Sequence, residues 1–301
     1  MTATSPAPEA SPSRPRLLVS LARMVRLSHS LFALPFAAAA VVLVAPRAAL
    51  DPLRLALVAV AVVAARTAAM AMNRIADRRF DAHNPRTKRR ELVTGEVSVA
   101  AAWALLLGSG AAFAAAAWAI SPLCGLLALP VLAILLGYSF AKRFTWACHL
   151  WLGVAQALAP VGVAIALTGG APLASVVLGV GVGAWIAGFD VFYAMQDAEF
   201  DRGHGLLSIP ARFGIPGALA WARGLHVLAV AGVILAGVLA GRGPAWLAGS
   251  AILGAVILAE HLYVAPRGTL RPERIGVAFF NYNAIASIVF ALFALGDLAI
   301  H

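Results

Sequence analysis

The stretch NRIADRRFD, residues 73–81, sets two carboxylates four positions apart and an amide four positions before them. In an α-helix residues four apart share one face, with Cβ atoms about 5–6 Å apart. Asn73, Asp77 and Asp81 therefore form one oxygen-rich stripe. The spacing recurs as Asp197 and Asp201 within DVFYAMQDAEFDR (190–202), with Asp190 and Tyr193 one or two turns earlier on nearly the same face. Seven aspartates in 301 residues would give roughly 0.2 such pairs by chance, and there are two. Like charges at this spacing destabilise a bare helix, so something positive must sit between them. Mg²⁺ prefers hard oxygen ligands, keeps several waters, and takes one or two carboxylates together with substrate phosphate. Asn73, Asp77, Asp81, Asp197 and Asp201 are thus the expected ligands of Mg²⁺ clamping a diphosphate, whose charge the metal neutralises as its bond breaks. The plain alternative is a solvated helix end balanced by neighbouring arginines.

Fixed cations should complete a diphosphate cradle, and Arg66, Arg78, Lys142, Arg143 and Arg202 are the candidates. A metal site serving transport alone needs no such surplus of arginine. Arg66 lies seven residues before Asn73, on the same face and about 10 Å deeper at 1.5 Å per residue. An arginine there is costly unless it faces a polar cavity, snorkels or pairs with a carboxylate. Arg26 is placed to bind the carboxylate of an acceptor, or to serve as an ordinary basic anchor at a membrane surface.

The elements that carry these residues are apolar. The chain is 62% hydrophobic and 12% charged, against about 25% charged for a soluble domain. Nearly charge-free runs long enough to cross a ~30 Å hydrocarbon core recur along it. They predict an all-α, polytopic membrane protein with nine spans around a central cavity, at 27–45, 55–76, 97–119, 122–141, 147–168, 173–195, 214–240, 245–265 and 276–298. Arginine and lysine concentrate before the first span and after the second, fourth, sixth and eighth. The positive-inside rule puts those segments in the cytoplasm and the C-terminus on the far side. The net charge of +10 is therefore read as topology, since no nucleic-acid-binding signature accompanies it. Residues 1–15 are rich in Pro, Ala and Ser and lack an apolar core. They are expected to form a disordered tail rather than a cleaved signal peptide, with residues 16–301 forming the membrane domain.

A faint repeat places Asp77 and Asp81 120 positions before Asp197 and Asp201, and Tyr138-x3-Lys142 125 positions before Tyr263-x3-Arg267. It predicts that the two acidic motifs face each other across one cavity, as sites between repeated halves do. Cys124 and Cys148 imply no disulfide framework. His29, His149, His226 and His261 lack metal-ligand spacing and are expected to be packing residues. The run GVGVGAWIAG (179–188) has the small residues that allow close helix packing.

These motifs resemble those of the UbiA-type intramembrane prenyltransferases. NRIADRRFD matches the family's Asn-x3-Asp-x3-Asp motif, DVFYAMQDAEFDR resembles its second Asp-rich motif, and YSFAKRFT (138–145) resembles its Tyr-x3-Lys-Arg stretch. Finer features, including AFFNYN (278–283), are similar to bacterial 4-hydroxybenzoate polyprenyltransferases and to the group associated with menaquinone made through futalosine. The resemblance covers residues 20–300. It implies Mg²⁺-dependent transfer of a polyprenyl group from its diphosphate to an aromatic acid, in ubiquinone or menaquinone biosynthesis, at the bacterial cytoplasmic membrane. It further implies that Arg78, Lys142 and Arg143 meet the diphosphate, and that Asp190 and Tyr193, with Tyr138, lie near the aromatic acceptor. Asp190 would act as the base on the acceptor hydroxyl, and Arg143 and Tyr193 would assist the chemistry. Three rivals stand beside this reading: a family member with a haem, chlorophyll or lipid-ether acceptor, an ion-coupled transporter, and a non-catalytic scaffold.

Overall fold

The computed structural model describes residues 14–26, 30–45 and 50–300, and every regular element among them is helical. Residues 1–13 of the expected tail, and His29, lie outside the described residues. The chain runs through α1 (Arg14–Met24), α2 (Ser30–Val44), α3 (Pro52–His83), the single turn α4 (Glu91–Thr94), α5 (Val99–Ile120) and α6 (Pro122–Gly137). A 3₁₀ stretch, Tyr138–Arg143, leads to α7 (Cys148–Thr168) and α8 (Leu173–Ala194). A 3₁₀ turn, Met195–Asp197, joins α8 to α9 (Ala198–Gly203), and then come α10 (Ile209–Leu239) and α11 (Pro244–Val264). After α12 (Pro272–Val277) a π-helical turn, Ala278–Tyr282, opens into α13 (Asn283–Ile300).

Among the described residues, eight helical stretches are long and apolar enough to cross a bilayer, and Leu34–Val44, inside α2, is a shorter apolar one. The chain is a multi-pass membrane protein. Among the described residues, neighbours pack in the order α2, α3, α5, α6, α7, α8, α10, α11, α13 and back to α2. The helices thus form a ring, with α2 also packed against α7 and α8.

Element ends depart from the apolar runs where local chemistry overrides hydropathy. Asp51 accepts from the backbone N–H groups of Leu53 and Arg54, and Pro52 opens α3, a strong N-terminal signal. The helix then continues seven residues past the apolar run, because nothing breaks it until Asn84 and Pro85. The fourth span tightens into 3₁₀ geometry at Tyr138, and the sixth breaks at Met195–Asp197 before α9. Asp190, Tyr193, Asp197 and Asp201 are therefore not on one regular helix. In α10, Gly214 takes a non-helical φ of 68° two residues before Pro216, so a short helical lead-in from Ile209 meets the long part of the helix at a kink, where the apolar run begins.

The α8 span is the most enclosed: 67% of its apolar window is buried, against 17% for α5 and α6. Its glycines explain how it fits. A Cβ on Gly183 would sit 2.4 Å from the Gly153 carbonyl oxygen of α7, and one on Gly179 2.6 Å from that of Ala157. On the α10 side, a Cβ on Gly232 would sit 2.8 Å from Gly181 Cα. Backbones meet directly on both flanks, as small residues permit in lipid. Polar pins add to this. Asn283 accepts from Trp185 Nε1 at 2.9 Å and donates to Glu260 at 3.2 Å, tying α8, α11 and α13 together. Asp297 of α13 accepts from the Gly243 and Trp246 N–H groups and caps α11.

Gly183→Val forces α7 and α8 apart and is expected to cost about 1–3 kcal/mol. Gly110→Ala, where a Cβ meets nothing within 4 Å, should not destabilise the fold. Thermal unfolding in detergent compares the two.

Candidate active site

A cavity of ≈ 620 Å³ lies inside the ring. It touches α3 from Val58 to Asp81, a run of roughly 35 Å at 1.5 Å per residue. Its far end is apolar, with Phe36, Phe113, Ile120 and Cys124 on its walls. Its other end holds Asn73, Asp77, Asp81, Asp197 and Asp201 together. The last turns of α3 deliver the first three, and the 3₁₀ turn and α9 that follow α8 deliver the last two. Asp81, Asp197 and Asp201 are buried.

Their charges are met by cations from other segments. Asp81 accepts from Arg90 Nη1 at 2.6 Å. Asp197 is gripped by both arms of Arg86, with Nε–H to Oδ1 at 3.0 Å, and also accepts from Asn84 Nδ2 at 3.0 Å. Asp201 accepts from Lys142 Nζ at 3.1 Å. Asp77 accepts from Asn73 Nδ2 at 3.0 Å. Burial alone would lower the Arg86 pKa, but its bond to Asp197 and the nearby Tyr193 raise it above the ordinary arginine value. It is a fixed cation.

Local structure explains the reach. Asn84 ends α3, and its side-chain oxygen accepts from the Arg86 N–H at 2.9 Å, an Asx turn that folds the chain back. The Thr87 hydroxyl ties the same turn to the Asp81 carbonyl. Arg86 and Arg90 are thereby swung over the end of α3. Lys142 reaches Asp201 because the Leu207 N–H bonds the Lys142 carbonyl at 2.7 Å.

Of the expected cradle, Lys142, Arg143 and Arg66 line the cavity. Arg143 donates to the Ala76 carbonyl at 2.6 Å, and its guanidinium lies over the rings of Phe80 and Phe140. Arg66 donates to the Val25 carbonyl at 3.2 Å, beside Arg26, which also lines the cavity. Arg78 and Arg202 are elsewhere. Arg78 turns away to the Leu92 carbonyl at 3.2 Å, and Arg202 is exposed on α9. Both sit where helical geometry points them off the acidic face. Tyr138, Asp190 and Tyr193 line the cavity, and the Tyr193 hydroxyl accepts from Arg86 at 2.8 Å. In the second half of the repeat, Tyr263 stacks on Tyr282. It and Arg267 are not among the cavity residues.

Sequence reasoning missed Arg74, Asn84, Arg86, Arg90 and His149. Arg74 is buried, bonds Asn73 Oδ1 at 3.1 Å and the Met24 carbonyl at 3.1 Å, and so fixes both the amide and the end of α1. Its position, one residue after Asn73, was the available signal. His149, expected to be a packing residue, lines the cavity and bonds Asp190.

The donor set suits Mg²⁺ in kind: carboxylates and an amide oxygen, with no thiolate. Among the described residues no three His, Cys, Asp or Glu side chains stand close enough to hold an ion unaided.

Residues 33–293 match the model of the UbiA prenyltransferase family. The 4-hydroxybenzoate octaprenyltransferase of Aromatoleum aromaticum is 31% identical over 244 residues, 80% of this chain and 81% of that protein. Its counterpart in Nitrosomonas europaea is 30% identical, over 82% of this chain and 84% of that protein. Among solved structures, the apo UbiA homolog from Aeropyrum pernix K1 superposes with a TM-score of 0.81 at 36% identity, covering 90% of this chain and 98% of that one. A UbiA homolog from Archaeoglobus fulgidus bound to GPP and Mg²⁺ shares the fold, with a TM-score of 0.71 at 23% identity over 93% of this chain and 99% of that one. A family match spanning most of the chain, on a helical ring whose acidic motifs converge at one end of a deep apolar cavity, has one meaning: this protein belongs to the UbiA prenyltransferase family.

Proposed function

We propose that the protein transfers a polyprenyl group from its diphosphate to an aromatic acid of the 4-hydroxybenzoate or naphthoate type, in quinone biosynthesis. One observation carries the reading: four carboxylates from two distant motifs, with their cations, cap a cavity whose far end is apolar. A polyprenyl diphosphate has that same division. The names of the relatives and the GPP and Mg²⁺ of the Archaeoglobus homolog support it.

Asn73, Asp77, Asp81, Asp197 and Asp201 would hold Mg²⁺. When bound, the metal neutralises charge on the diphosphate as the allylic C–O bond breaks. Lys142, Arg143, Arg86 and Arg90 close on the phosphate oxygens, the last two exchanging a carboxylate for them. The apolar walls keep water from the allylic cation, and the rings of Tyr138 and Phe189 face it with their π-electrons. Arg26, with Arg66 held beside it by the Val25 carbonyl, offers the positive charge that an aromatic carboxylate needs. The ring carbon next to the phenolic hydroxyl forms the new C–C bond, and Asp190 takes the hydroxyl proton. The acidic end faces the cytoplasm of a bacterial cell, where the basic loops would place it, and the tail is shared with membrane lipid.

Chelating the divalent cation in purified membranes should abolish transfer. Asp77→Asn and Asp197→Asn should each cost about a hundredfold or more in kcat, measured with labelled prenyl diphosphate. Arg26→Ala should raise the acceptor KM roughly tenfold, the loss of a charged hydrogen bond, with the donor KM unchanged. Mass spectrometry of products from a panel of acceptors tests the reading itself. A C-prenylated aromatic acid is expected, and transfer only to a porphyrin or glycerol phosphate would overturn it.

A further inference from the structure

Asp190 has a neighbour that the mechanism above leaves unused. His149 on α7 is 1% exposed, and its Nδ1 stands 2.7 Å from Asp190 Oδ2 on α8. A carboxylate has no proton to give, so Nδ1–H donates to Asp190. Nε2 is buried and, among the described residues, has no hydrogen-bond partner. A buried polar nitrogen left unpaired is destabilising, so a ring that merely filled this space would be better apolar. What the histidine gains is its bond to Asp190. Among the described residues no other side chain bonds that carboxylate.

The backbone beneath the pair makes the contact rigid. Gly153 is one turn beyond His149 on α7, and Gly183 is two turns before Asp190 on α8, so each shares a face with its partner. These two glycines are where the helices touch, with a Cβ on Gly153 only 2.7 Å from the Gly183 carbonyl oxygen. The close crossing sets the reach of His149 to Asp190. Both residues line the cavity, and the Asp190 side chain keeps 19% of its surface open. With Oδ2 occupied, Oδ1 is the oxygen left for a ligand.

Resting on the prenyl-transfer reading, we propose that His149 is a positioning residue: its Nδ1–H locks the Asp190 carboxylate so that Oδ1 meets the acceptor hydroxyl. As the ring carbon bonds the allylic carbon, the C–O electron pair leaves with the diphosphate and the hydroxyl proton passes to Oδ1. The ring then loses the proton from the substituted carbon as its oxygen regains one from Asp190, so one prenyl diphosphate and one arene give one prenyl arene, diphosphate and a proton.

The test uses the full-length protein in detergent with Mg²⁺, a prenyl diphosphate and an aromatic acid. Two variants are compared, His149→Phe and His149→Asn, whose Nδ2 occupies the place of Nδ1 along the side chain. His149→Phe should lower kcat about a hundredfold, the scale of a misplaced reacting group, while the KM for prenyl diphosphate stays at the wild-type value. His149→Asn should recover roughly tenfold of that loss, since only it keeps a donor in place. If the Phe variant loses its thermal transition, His149→Met takes its place. Wild-type turnover in the Phe or Met variant, an Asn variant no better than it, or a parallel rise in donor KM would each overturn the positioning role alone. A wild-type protein that prenylates no aromatic acid would bring down the functional reading, and this role with it.

Discussion

A carboxylate inside an apolar bundle must be matched by hydrogen-bond donors, and at the charged end of the cavity those donors are mainly cations. Taking an ion out of water costs several kcal/mol even after relaxation. Asp81, Asp197 and Asp201 are buried, and each has a cation within bonding distance. None of those cations is on the same element as its acid. Arg86 and Arg90 come from the segment after α3, and Lys142 from the 3₁₀ stretch after α6. The pairs therefore join parts of the chain up to 111 positions apart. The same exchangeable positive charge makes the site suited to a metal-bound diphosphate, since the cations that balance the acids can turn to phosphate oxygens.

Below that charged end, shape comes from what is missing. Lipid supplies no hydrophobic force between helices, so close packing and a few polar pins must hold them. Glycines on both flanks of α8 let it approach α7 and α10 backbone to backbone. The cavity is the space left where the ring does not close so tightly. Asn283 shows how the two jobs meet: it pins Trp185 and Glu260 while lining the cavity. It follows a π-helical turn, a feature often found at functional sites.

The acidic stripe was legible because Asn73, Asp77 and Asp81 sit on a regular helix, where spacing alone gives direction. Arg78 illustrates the converse. It neighbours Asp77 in sequence, yet a step of about 100° around the helix sends it to the Leu92 carbonyl. Arg86 and Arg90 were visible only as basic loop residues. Their direction depends on the turn at Asn84, which has no periodicity to read. His149 was one histidine among several on apolar helices, and nothing in its own helix pointed to Asp190.

Residue order alone shows that the chain crosses a membrane many times, that two Asp-rich motifs end apolar helices, and that basic charge gathers near them. Those properties follow from hydropathy and helical period, which are local. Which cation meets which acid, the break of α8 before Asp197, and the hold of His149 on Asp190 emerge from the folded chain. The first depends on the turn at Asn84 and on the link from Leu207 to Lys142, the last on where glycines let α7 and α8 touch, and no periodic pattern carries that information.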